Sequence, residues 1–404
     1  NQPQDCEPVL HRLLQAASTP ITVDDSILNV SASIGVTIYP GDGADADQLI
    51  RHADQAMYQA KQAGKNRFQL FDVEHDTKIQ KKHEGLESIR AALKRNEFIL
   101  HYQPKVNMTT GKIIGVEALI RWQHPELGLL LPGRFLPLAE SHDLKIQIGE
   151  WVIKTALQQV ETWQARGLEI PVSVNIDAYH LQYGNFVAGL EALLAAHPGA
   201  NPARINLEIL ETNAFEDLQQ VAEIMRACRA LGVSFALDDF GTGYASLTYL
   251  KWLPAELLKI DQSFVRDMLD DPDDLAIVES VIGLANAFQR HTIAEGVETV
   301  EHGEMLLQLG CELAQGYGIA KPMPADALAG WIGQWQPDMR WRVWENQPID
   351  RNNLPAIFAR VRHHHWLHAL AHPHRDVPGF ELADCPLTHW QKNHGHAHYG
   401  TSPL

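Results

Sequence analysis

The sequence predicts an α/β protein built on a (β/α)8 TIM-like barrel, preceded by an α+β fragment and followed by a helical, His-rich tail. Short apolar runs alternate with amphipathic helical stretches over about 250 residues, the spacing of such a barrel. Polar residues recur at the ends of those runs, where barrel proteins carry their chemistry. The composition is that of a folded chain: 404 residues, 45% hydrophobic and 21% charged, with a net charge of −17 from 33 basic and 50 acidic residues.

The first stretch, 21–71, reads as α+β. Ile27 to Tyr39 alternates and is β-branched, which predicts a strand, and Pro40-Gly41-Asp42-Gly43 is a turn. Asp47 to Gly64 predicts a helix with Leu49, Ala53, Ala56, Met57 and Ala60 on one face, stopped at Gly64, and Phe68–Phe71 is a short strand. About 70 residues rarely make a robust core alone, so this piece reads as the tail of a domain. The chain starts at Asn1 rather than Met, which leads us to expect a fragment and leaves room upstream for a membrane or sensory segment.

Residues 72–85 carry alternating charges (Glu74, Asp76, Lys78, Lys81, Lys82, Glu84) and predict a helical linker. The barrel is expected over 86–335. Its strand candidates are Phe98–Tyr102, Ile113–Trp122, Val172–Ile176, Ile205–Leu210, Ser234–Leu237, Leu257–Ile260, Thr292–Ala294 and a weak run near Leu313. From 336 to 404 the chain is rich in Trp and His, including His363-His364-His365, which suits metal binding or a solvated tail.

Charge and cysteine usage narrow the class. An acidic chain does not grip duplex nucleic acid or anionic lipid through overall charge. No apolar run reaches the roughly 20 residues that cross a bilayer. Four scattered cysteines without a CxxC pair suit a reducing compartment, so a cytoplasmic location is expected.

The polar strand-end residues share one chemistry. Glu117 lies in the second run, Asn175 ends the third, and Glu208 and Glu211 surround the end of the fourth. Asp238 and Asp239 close the fifth, Lys259 and Asp261 the sixth, Glu295 and Glu298 follow the seventh, and Gln315 follows the eighth. A single acid at a strand end is usually a helix cap or a surface group. Their recurrence at one barrel mouth is what points to function, because crowded carboxylates resist ionisation unless cations sit between them. Oxygen donors without His or Cys favour Mg²⁺ or Mn²⁺, and adjacent Asp238 and Asp239 can serve two ions, as in two-metal hydrolysis of a phosphate ester. Lys259, between Leu258 and Ile260, points into the barrel, either to orient water and neutralise phosphate or as a counter-ion. Asp239-Phe240-Gly241-Thr242-Gly243-Tyr244 reads as a glycine loop after the fifth strand.

These residues resemble a family. Val116-Glu-Ala-Leu-Ile-Arg-Trp122 carries the name-giving motif of the EAL domains, which hydrolyse cyclic di-GMP. Tyr102-Gln-Pro-Lys105, Leu207–Glu211, Leu237–Leu247, Leu258–Phe264, Ala294–Thr299 and Ala314–Tyr317 extend the resemblance in order along 86–335. The resemblance implies Mg²⁺- or Mn²⁺-dependent opening of one phosphodiester of cyclic di-GMP to linear pGpG. It implies Glu117, Asn175, Glu208 and Asp238 around one metal, and Asp238 with Asp239 at the second. Lys259 and Glu295 would position and deprotonate water, with Gln315 orienting water or metal. Gln103 and Arg121 would meet substrate, Glu211 and Glu298 would support the site, and a homodimer is expected by analogy. Asn175-Ile-Asp177, Asn213 and Ala245-Ser246 depart from the family's usual residues without removing a carboxylate.

Ser33–Val36, Ala53–Tyr58, Ala60-Lys61 and Gly64–Arg67 resemble the C-terminal part of a GGDEF domain; its signature loop is absent, so no cyclase activity is expected of this piece. More weakly, His363-x-x-Trp366 and Cys385–Trp390 resemble a chemoreceptor-type zinc-binding segment, with His363 and Cys385 as implied partial Zn²⁺ ligands. The rival reading of the barrel is a receptor that binds cyclic di-GMP without cleaving it; another Mg²⁺ enzyme on the same barrel is a third.

Overall fold

The computed structural model describes residues 6–23, 26–43, 45–140, 143–182, 185–210, 217–242, 247–345 and 354–371. The chain divides into two units, Asn1–Ser88 and Ile89–Leu404.

In the first unit, α1 (Glu7–Ala17) buries Leu10 and Leu14. Strands β1 (Ile21–Val23) and β2 (Ser26–Leu28) form an antiparallel hairpin. β3 (Ser33–Val36) and β4 (Arg67–Leu70) are parallel and joined through α2 (Ala46–Gln62). The single strand expected over 27–39 is therefore corrected to two: Asn29 and Ser31, poor strand formers, fall where β2 ends before β3 begins. The helix is the expected one, capped by Asp45 accepting from the Gln48 amide at 2.9 Å and burying Ala56 and Ala60. Buried Asp42 accepts from Thr37 Oγ1 at 2.5 Å and pairs with His52 Nδ1 at 2.6 Å, and the His52 ring stacks on Phe71. The 72–85 stretch is helical, but α3 runs unbroken from Val73 to Arg95.

The second unit is a closed barrel of eight strands with helices outside it. Two long strands open it, β5 (Phe98–Asn107) and β6 (Ile113–His124), with the small strand β7 (Gly128–Leu130) hairpinned onto β6. Helices α4 (Leu136–Ala139) and α5 (Leu144–Ala165) lead to β8 (Val172–Ile176). Next come α6 (Ala178–Gln182), α7 (Phe186–Ala196), β9 (Ile205–Leu210), α8 (Leu218–Ala230) and β10 (Ser234–Phe240). The chain continues through α9 (Leu247–Trp252), β11 (Leu257–Ile260), α10 (Gln262–Asp267), α11 (Pro272–Ala287) and β12 (His291–Ala294). α12 (Val300–Leu309), β13 (Leu313–Ala314) and a short β14 (Met323–Pro324) complete the sheet, followed by α13 (Ala325–Gln334), α14 (Met339–Arg342) and α15 (Leu354–Ala371).

The strands close in the order β5-β6-β8-β9-β10-β11-β12-β13 and back to β5. One strand departs from an all-parallel barrel: β5 is antiparallel to both β6 and β13. The cause is the link from Asn107 to Ile113, a turn too short for the dozen or more residues a parallel crossover needs. Asn107 Oδ1 braces it by accepting from the Thr109 and Thr110 amides at 3.1 and 2.9 Å. Helices separate the remaining barrel strands, as the periodicity predicts.

Alternation then sets the barrel's chemistry. Val172, Val174 and Ile176 of β8, and Ile205, Leu207 and Ile209 of β9, share one buried face. Period two turns Ser173, Asn175, Asn206 and Glu208 the other way, into the barrel. A strand that is apolar toward the helices and polar toward the axis leaves the interior available for a site. Beyond the barrel, Trp341 of α14 is buried over Gly303 of α12 and donates from Nε1 to the Val300 carbonyl at 2.9 Å.

Candidate metal and substrate site

Lys259 on β11 is 1% exposed at the centre of the barrel mouth. Its Nζ lies 2.6 Å from Glu208 Oε2, 2.7 Å from Asp238 Oδ1, 2.6 Å from Glu295 Oε1 and 3.6 Å from Glu117 Oε2. Five strands or their ends, β6, β9, β10, β11 and β12, thus converge on one ammonium. Burial alone would make that ammonium give up its proton, but the surrounding carboxylates outweigh it and hold Lys259 well above the ordinary lysine value.

The carboxylates divide by environment. Burial would push Glu208 up, yet Lys105 and Lys259 bring it down to about 2. Burial and the neighbouring acids raise Asp238 despite Lys259. Asp239 is pushed up to about 7, by burial first, then by Asp238 and a hydrogen bond with Asp261. Glu295 rises to about 8, chiefly through burial. These carboxylates outnumber the lysines among them, a balance that suits added cations.

The oxygens are placed for that. Glu117, Glu208 and Asp238 form one group with ligand atoms mutually within 4.8 Å, and Asp238, Asp239 and Glu295 form a second. Asp238 belongs to both. The buried Glu208 Oε2 and Gln315 Oε1 accept no hydrogen bond of good geometry among the described residues, so the donor set fits hard divalent cations. Backbone conformation contributes: Asp239 sits at φ +52°, where β10 shifts register against β11 between Leu237 and Phe240. That irregularity lets two consecutive residues both serve the mouth, which plain alternation forbids. It also carries β10 on to Phe240, into what the sequence reads as loop.

A polar frame holds the ring. Asn175 Nδ2 donates to Glu117 Oε1 at 2.7 Å, and Gln315 Nε2 donates to Glu117 Oε2 at 2.6 Å and to Gln103 Oε1 at 3.0 Å. Gln103 Nε2 donates to the Ala320 carbonyl at 3.0 Å, and Arg121, also buried, donates from Nη1 to the Ile120 carbonyl. Gln103, Arg121, Gln315 and Glu298 line a cavity of about 260 Å³ together with Glu117, Asp238, Lys259 and Glu295. A larger and mostly apolar cavity of about 420 Å³ adjoins it, lined in part by Leu119, Asn175 and Asp177.

Gly316 shows how tightly the frame is built. A Cβ there would lie 2.2 Å from the Val297 carbonyl oxygen and 2.3 Å from its nitrogen, backbone atoms that cannot yield alone. Gly316→Ala is therefore expected to displace Gln315 and the Glu295–Glu298 loop and to lower stability by about 1–3 kcal/mol. A denaturant melt of the barrel unit checks it.

Most of the acidic residues singled out in the sequence meet here. Glu211 and Cys385 lie outside the described residues, as do 243–246 of the glycine loop; His363 lies on α15. Lys105 is a site neighbour the sequence reading passed over, and so is Tyr317, 60% exposed on the cavity rim with Lys321 Nζ 5.7 Å from its ring. Both stand in quoted motifs, Lys105 in Tyr102–Lys105 and Tyr317 in Ala314–Tyr317, where an aromatic beside a glycine was the available signal.

The fold and the site define a barrel protein whose mouth gathers carboxylate clusters able to hold metal ions. Residues 86–322 match the EAL domain, and the chain belongs to that family; residues 1–67 match the diguanylate cyclase GGDEF domain. Among curated relatives, the bifunctional diguanylate cyclase/cyclic di-GMP phosphodiesterase MucR of Pseudomonas aeruginosa is 40% identical over 328 residues, 81% of this chain and 48% of that protein. The cyclic di-GMP phosphodiesterase PdeR of Escherichia coli is 34% identical over 329 residues, 81% of this chain and 50% of its own. The chain spans about half the length of these relatives. A solved structure of the MucR phosphodiesterase in complex with c-di-GMP aligns at TM-score 0.58 and 43% identity, covering 61% of this chain and 99% of that one. No helix among the described residues is long and apolar enough to cross a membrane.

Proposed function

We propose that the barrel hydrolyses one phosphodiester bond of cyclic di-GMP to linear pGpG, using two Mg²⁺ or Mn²⁺ ions. The observation that carries this reading is the pair of carboxylate groups sharing Asp238. Relatives named as cyclic di-GMP phosphodiesterases support the substrate. Two such ions would activate a water and neutralise the scissile phosphate.

This chain's residues do the rest. Glu117, Asn175 and Glu208 would hold the first cation with Asp238, Asn175 also donating from Nδ2 to Glu117 Oε1. Asp239 and Glu295 would hold the second with Asp238. Glu295, whose anion is disfavoured chiefly by burial, would accept the water proton. Lys259, 2.6 Å from Glu295 Oε1 and 2.7 Å from Asp238 Oδ1, would orient both carboxylates. Gln103 and Arg121, on the cavity wall, receive the substrate.

Purified chain incubated with cyclic di-GMP and Mg²⁺ is expected to yield a linear dinucleotide, with EDTA stopping turnover and added Mg²⁺ restoring it. Bound but uncleaved ligand would favour a receptor, and turnover that persists in EDTA would sink the two-ion reading.

A further inference from the structure

One buried cation plays no part in that scheme. Lys105 of β5 is 2% exposed, and an ammonium so placed is tolerated only where its protons are accepted. Its Nζ donates to Ser173 Oγ at 2.8 Å and to Glu208 Oε1. Ser173 Oγ lies 3.4 Å from Asn206 Oδ1, and Asn206 Nδ2 donates to Ser234 Oγ at 2.9 Å. Ser173 and Asn206 stand two residues before Asn175 and Glu208 on their strands, which places this polar row one layer below the acidic ring. The row crosses β5, β8, β9 and β10, and β5 breaks register against β6 between Lys105 and Val106, a device that re-aims a side chain.

Glu208 is consequently held at both ends. Lys105 takes Oε1 from below, while Oε2 faces the ring, 2.6 Å from Lys259 and without a hydrogen bond of good geometry. A glutamate's terminal torsion is soft, so an unanchored carboxylate in this position can swing or offer both oxygens.

Resting on the metal reading above, we propose that Lys105 is a positioning residue: it occupies the far oxygen of Glu208 so that this carboxylate presents one oxygen, Oε2, to a divalent cation. Partners that orient a metal ligand typically change metal affinity about 10–100-fold when removed. A merely structural counter-ion would show no such coupling to Glu208.

The test titrates Mn²⁺ into the full chain without substrate, following free Mn²⁺ by electron paramagnetic resonance. Lys105→Met is expected to weaken Mn²⁺ binding at least about tenfold. Ser173→Ala, which loosens the ammonium's second anchor, weakens it less and in the same direction. In a Glu208→Gln background, Lys105→Met should change affinity by less than about twofold, since the two positions act through one contact. Unchanged or tighter Mn²⁺ binding in a folded Lys105→Met protein, or an equal loss in both backgrounds, overturns the proposal. Should Lys105→Met fail to fold, Ser173→Ala decides, and an unaltered affinity there overturns it. Wild-type chain that binds no Mn²⁺ removes the metal reading and this proposal together, whereas wild-type binding with indifferent variants removes the positioning role alone.

Discussion

Asp238→Asn is expected to cut hydrolysis of cyclic di-GMP on the order of 10³-fold while leaving the metal-free barrel as stable as before, or more so. Each cation contributes several kcal/mol to a phosphoryl transition state, and about 1.4 kcal/mol is a factor of ten in rate. Asp238 alone belongs to both oxygen groups, so its loss disturbs both cations at once. Glu117→Ala and Asp239→Ala each disturb one group and are also expected to abolish measurable turnover. The stability half of the expectation follows from the raised Asp238 value: a buried acid whose anion is disfavoured gains by becoming a neutral isostere. Lys259 keeps Glu117, Glu208 and Glu295 as counter-charges. Product separation and a thermal melt in EDTA measure the two halves. Turnover above a tenth of wild type would refute the shared role of Asp238, and a collapse in melting temperature would show that the side chain mainly supports the fold.

Most of the residues behind that prediction were legible in the sequence because they lie within or at the end of an apolar run, and alternation does the rest. Glu208 between Leu207 and Ile209, or Lys259 between Leu258 and Ile260, has only the barrel interior to point into. Other features depend on what periodicity cannot encode. The reversal of β5 follows from the length of one turn, since its apolar pattern reads the same in either direction. The placement of Asp239 beside Asp238 depends on a positive φ and a register break, and an adjacent acidic pair carries neither in its composition. Lys105 went unassigned because the apolar run ends at Tyr102 and leaves it beyond the expected strand; its burial depends on Ser173 and Glu208, more than 60 residues away in sequence, with separations of 68 and 103. Strand identity is thus a local property, and the pairing of charges across the barrel is a property of closure.

Lys259→Met should produce the other large effect, on stability and turnover together. Removing one partner of a buried charge cluster costs about 3–5 kcal/mol. Here the ammonium serves carboxylates on β6, β9 and β10 and at the end of β12. Lys105 still holds Glu208, so the deficit falls on Asp238 and Glu295. Both already sit above their ordinary values, Glu295 at about 8 with Lys259 present, and both rise further without it. The sign of the pH dependence follows from proton counting. A folded state that keeps these acids protonated binds more protons than the unfolded chain, so stability falls as pH rises. For Glu295 the window runs from the unfolded value near 4.5 up to and beyond about 8. The variant should therefore melt closer to wild type at pH 5 than at pH 8, and Mn²⁺ should restore part of the loss at pH 8 by supplying the missing positive charge. Turnover should remain low even when Mn²⁺ restores the fold, because no group then orients Glu295 toward the water. A variant whose melting is independent of pH and of Mn²⁺ would show that Lys259 does not neutralise the ring.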